Sequence, residues 1–160
     1  MRIDELAFVC EEAARDLAAR ERRPLPPAVV LPGPQRTRVV TLPDFPDDDR
    51  GRHALLQALA ADEIVATSTP AYGFLAEGEL EDGNDVLVIV YGAQGHSARI
   101  TAAPLGDDGA LGAFSEPEPL APEAMPFLHP LQDAVGSARQ APPATDVLGL
   151  GRETDRPTES

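Results

Sequence analysis

The chain contains no lysine and no tryptophan, one cysteine, and only two Tyr and five Phe in 160 residues. Each shortage closes off a class of explanation. A lone Cys10 can form no internal disulfide and gives no sign of an oxidising compartment. With Trp absent and Ala supplying much of the 42% apolar content, the expected core is aliphatic and modest. No run approaches the ~18 apolar residues of a membrane span, and the opening MRIDELAFVCEE is too charged for a secretory leader. A cytoplasmic protein without membrane attachment is the expectation.

Charge of one sign is also scarce. The 13 cations are all Arg and face 27 acids, for a formal net charge of −14. A high-GC genome favours Arg, Ala, Pro and Gly codons, while a halophilic cytoplasm selects acidic, Lys-poor surfaces, and both fit this composition. The excess is uneven. Residues 1–52 hold nine Arg against ten acids, and residues 53–160 hold four against seventeen. Such a surface repels phosphate backbones, so direct nucleic-acid binding is not expected. The expected partner is a protein, and a basic one if it meets the acidic face; oligomeric state is left open by the sequence.

Periodicity supplies the architecture. Ile3, Leu6, Ala7, Cys10, Ala13, Ala14 and Leu17 mark one face of a helix over 3–21, with Glu11/Arg15 and Asp16/Arg20 spaced for i,i+4 pairs. Residues 24–34, PLPPAVVLPGP, read as a proline-rich connector holding a short strand at 28–31; behind Arg22 and Arg23 it also has the look of a prolyl ligand. RTRVVTL at 36–42 is a strand, at an edge or fully covered, and a second helix follows over 48–61. From 64 to 115, short apolar runs alternate with the turn signals EDGND, GAQGH and GDDG, the pattern of an antiparallel meander. A short helix is expected at 129–137 and a disordered tail at 139–160. The fold class is therefore α+β: one domain over 1–138, an antiparallel β-meander of about four to five strands, and two helices packed on one face.

Chemistry is harder to find. His96, in the loop ending VLVIVYGAQGHS, is the one histidine in a glycine-rich loop, and Ser97 beside it offers a hydroxyl. General-base work needs a group that orients the imidazole, and none is evident by spacing, so ordinary turn geometry explains the loop as well. Asp44, Asp47, Asp48 and Asp49 could offer oxygens to a hard cation, but Gly51 falls where a calcium loop needs a ligand; capping the following helix is the structural reading. His53, His96 and His129 lie too far apart in sequence to form a metal motif. GDDGALG at 106–112 brings two carboxylates and no Lys, which excludes a phosphate loop. Ser68 shows no nucleophile-elbow pattern. Cys10 sits on the apolar helix face, where a thiol behaves as a small hydrophobe.

Glu77, Glu79 and Glu81, at alternate positions, would form a carboxylate ladder able to engage a basic partner. The leading expectation is a non-catalytic interaction, accessory or regulatory domain that needs no cofactor. Two alternatives remain. One is a small enzyme or ligand-binding domain whose pocket forms where the 92–97 loop meets Tyr72 or Asp44–Asp49. The other is an acidic nucleic-acid mimic or immunity-type inhibitor.

Overall fold

The computed structural model describes residues 2–121 and 123–136. The first helix, α1, spans Ile3–Arg20. Glu5 accepts from the Arg2 backbone N–H at 3.3 Å to close its start. Asp16 and Arg20 pair as their spacing predicts, at 2.8 Å. Glu11 and Arg15 do not: the Arg15 guanidinium lies 5.4 Å from the Phe114 ring centre, so cation–π contact replaces the expected ion pair.

Six strands form one antiparallel sheet in the order β2-β1-β3-β4-β5-β6. They are β1 (Ala28–Pro32), β2 (Thr37–Thr41), β3 (Ala71–Glu79), β4 (Asp85–Ala93), β5 (His96–Pro104) and β6 (Glu118–Pro119). Helix α2 (Asp49–Leu59) runs into a π-helical turn, Ala60–Val65, and α3 spans His129–Gly136. The α+β class and the antiparallel sheet agree with the sequence reading, as do the helices to within two residues at most ends.

The helices do not share a face. Leu6, Cys10, Ala14 and Leu17 of α1 pack with Ala28, Val30, Leu75, Leu87 and Ile89. Leu56 of α2, Ile64 of the π-turn and Leu131 of α3 pack with Val29, Leu31, Tyr72, Phe74 and Val90. Neighbouring strand residues point to opposite faces, so the sheet has a core on each side. This explains why 86–91 shows no polar face: β4 is covered from above and below. The stretch read as a connector likewise holds a fully buried strand, β1, paired on both sides.

Three other boundaries shift. The meander begins at Ala71, because residues 60–65 continue the second helix as a π-turn whose Ala60 and Ile64 are buried. Residues 111–114 form no strand; Leu111 makes an isolated bridge with Leu105, and β6 pairs with β5 at Arg99 and Ile100. Among the described residues the sheet has six strands, of which β3, β4 and β5 fall within the 64–115 stretch expected to hold the meander of four to five. The expected tail at 139–160 lies outside the described residues. Among the described residues, no helix is long and apolar enough to cross a membrane.

Candidate functional site

The hairpin joining β4 to β5 turns through Gln94 and Gly95, and Gly95 takes the left-handed φ of +80° that favours glycine. Its outcome is more than a turn. The start of β5, the short β6 and α3 enclose a cleft of about 560 Å³ lined by Tyr72, His96, Ser97, Ala98, Leu120 and Gln132, with Pro119, Met125, Leu128 and His129 completing the wall. That volume falls within the ~300–1,000 Å³ usual for small-ligand sites.

Tyr72 comes from β3 and is fully buried. Its hydroxyl donates to Gln132 Oε1 at 3.1 Å, and Gln132 Nε2 donates to the His96 carbonyl at 3.2 Å. Burial, with a smaller contribution from nearby Cys10, raises the Tyr72 phenol above its ordinary value, so it stays protonated and keeps donating. Gly92 makes the arrangement possible. A Cβ there would lie 2.8 Å from Tyr72 Cε1 and would collide with Gln132 Oε1. The glycine of GAQGH that precedes the turn thus serves close approach of two side chains.

This chain of bonds holds α3 against the hairpin, but it reaches the backbone of His96 rather than its ring. Among the described residues lining the cleft there is no Asp or Glu to orient an imidazole. His96, Ser97 and His129 are exposed at the rim, while Ala98, Leu120, Met125 and Leu128 supply apolar surface. Such a cleft can hold an apolar group and offer hydrogen bonds at its mouth.

The other sequence candidates lie elsewhere. Asp48 caps α2, its Oδ2 accepting from Gly51 N at 3.0 Å, and Asp49 opens the first turn. Asp44 and Asp47 are exposed. Among the described residues, no three His, Cys, Asp or Glu side chains gather where a metal ion could sit.

Of the three alternate glutamates, Glu77 and Glu79 stand on β3 and Glu81 falls beyond it. Glu77 is half-buried and accepts from Arg23 Nε and, at 2.9 Å, from the Leu25 backbone N–H. Arg23 extends the same network to Asp85 at 2.9 Å and to Asp107 at 3.4 Å. The hydrogen bond to Asp85, followed by that to Glu77, raises the guanidinium further above its ordinary value. Glu79 is exposed at the strand end and Glu81 in the turn beyond it.

The sequence pointed to Tyr72 and to residues 92–97 as neighbours, and the structure brings Tyr72, Gly95, His96 and Ser97 together. It did not point to Gln132, His129, Leu120 or Leu128. Those come from PFLHPLQ and the proline-broken stretch before it, where no periodicity says which strand the chain returns to. Compared with protein families, curated proteins and solved structures, the chain matches none.

Proposed function

We propose that this chain is a non-catalytic binding domain that receives an apolar group of a protein partner in the cleft between β5, β6 and α3. The observation that carries the reading is the Tyr72–Gln132–His96 carbonyl chain. It commits the buried polar groups of the cleft to internal bonds and leaves an apolar wall with hydrogen-bonding side chains only at the rim. Proton transfer would need an imidazole held by a buried partner, and the bond to His96 is made by its backbone.

A second surface favours a basic partner. Glu79 at the end of β3, and Glu81, Asp82, Asp107 and Asp108 on the two turns that Arg23 draws together, are exposed at one end of the sheet. Steering by this end would speed encounter, with the cleft supplying the contact that holds. We place the protein in the cytoplasm, without direct nucleic-acid contact, and the reading requires no cofactor.

The test is occupancy of the cleft by a defined apolar probe, anilinonaphthalene sulfonate. Its fluorescence should rise with the native protein and stay flat with Ala98→Phe, which fills the wall. An undiminished rise with that variant would place apolar binding elsewhere and remove the proposal.

A further inference from the structure

The opposite edge of the sheet is open. Strand β2 pairs with β1 on one side and with nothing among the described residues on the other. Its backbone tells which groups face outward. Gly33 donates to the Arg36 carbonyl and Leu42 donates to the Pro27 carbonyl, so even-numbered residues turn their polar groups toward β1. By alternation, Thr37, Val39 and Thr41 direct their N–H and C=O groups away from the sheet. All three are exposed, Val39 by 37%. Edge strands of this kind are usually protected by Pro, by inward charge or by a bulge. Here TRVVT has none of these, since Arg38 is drawn over to Glu63 of the π-turn.

From this geometry we infer that β2 pairs with β2 of a second copy, antiparallel about a two-fold axis at Val39. That register sets Thr37 opposite Thr41 and Arg38 opposite Val40, so no like charges face each other. Each copy offers three outward donors and three outward acceptors, and the two-fold matches them one to one. Charge complementarity selects the second copy over an arbitrary strand. Arg36 stands just before β2 and Asp44 just after Leu42, both exposed, and neither forms an ion pair with another described residue. Antiparallel pairing carries Arg36 of each copy beside the 42–44 segment of the other, placing cation next to carboxylate twice. The interface lies across the sheet from the cleft, so a dimer would present two clefts at its far ends.

Sedimentation equilibrium of the full chain in about 0.15 M salt, where like-charge repulsion is screened beyond ~8 Å, reads the association directly. The expected result is a monomer–dimer equilibrium with a Kd on the order of tens of micromolar. Val39→Pro removes an outward N–H that the fold does not use and should abolish the dimer while leaving the circular dichroism spectrum unchanged. Arg36→Glu should weaken the dimer roughly two- to thirtyfold, and adding Asp44→Arg should restore it. A chain that stays monomeric to about 500 μM overturns the inference. So does a dimer indifferent to both Val39→Pro and the charge exchange.

Discussion

The Tyr72 hydroxyl and Gln132 Oε1, sixty residues apart in sequence, meet at 3.1 Å over the position of Gly92. The bond ties β3 to α3 and so fixes the wall of the cleft. Tyr72→Phe should therefore cost about 0.5–1.5 kcal/mol in urea unfolding, the net value of one buried hydrogen bond. Gly92→Ala should cost more, about 1–3 kcal/mol, because a methyl group there has no space without moving Gln132 or the Tyr72 ring.

The glutamates at 77, 79 and 81 should separate in the same assay. Glu77→Ala leaves the Leu25 N–H without its acceptor and removes one of the carboxylates around Arg23, which keeps Asp85 and Asp107, for a loss of about 1–3 kcal/mol. Glu79→Ala and Glu81→Ala should each fall within about 0.5 kcal/mol of the parent. Equal effects at all three would mean that the Arg23 network does not hold this end of the sheet together.

Cys10 is buried beneath α1 against Gly73, and burial, assisted by Glu11, pushes its thiol up to about 12 from 9.0. The folded protein should not react with an aromatic disulfide reagent at neutral pH, while the denatured chain should react fully. The raised value also sets a direction for stability. The contribution is complete below the unfolded thiol's pKa of 9.0 and is lost as pH rises through that value toward about 12. Cys10→Ala, compared with the parent across that range, should show a flatter decline.

The acidic composition should not make the fold depend on salt. Carboxylates that lie over the sheet or the π-turn already have guanidinium partners, Glu77 and Asp85 with Arg23 and Glu63 with Arg38, and the other described carboxylates, Glu11 apart, are exposed. Far-UV circular dichroism should be the same in about 0.1 M and about 1 M salt, although the screening length drops from ~10 to ~3 Å. Unfolding at the lower salt would assign the charge to halophilic adaptation instead.

Local elements were legible because their signals are local. The three- and four-residue steps of Ile3 to Leu17 specify α1, the turn glycines at 83 and 95 adopt positive φ, and Asp48 caps the helix it precedes. Long-range placement was not. Apolar residues on both faces of 86–91 require cover on both sides but do not say which helix supplies each. The short strand expected at 28–31 is present as β1, but the prolines at 24, 26 and 27 gave no sign that it lies inside the sheet, since proline is compatible with the residues just before an interior strand as well as with a connector. For the site, Tyr72 and His96 lie on the two strands that flank β4 and could be associated from the turn pattern. Gln132 joins them only through the return of α3, a contact set by packing on Tyr72, Phe74 and Val90 rather than by any motif.

The central claim is that the cleft beside His96 is where this protein binds. Backbone amide chemical-shift mapping on the full chain during titration with the apolar probe tests it most directly. The account predicts shifts confined to residues around Ser97, Ala98, Leu120, Leu128 and Gln132, and their disappearance with Ala98→Phe. Shifts gathered instead on the acidic turns near Glu81 and Asp107, with the cleft silent, would contradict it.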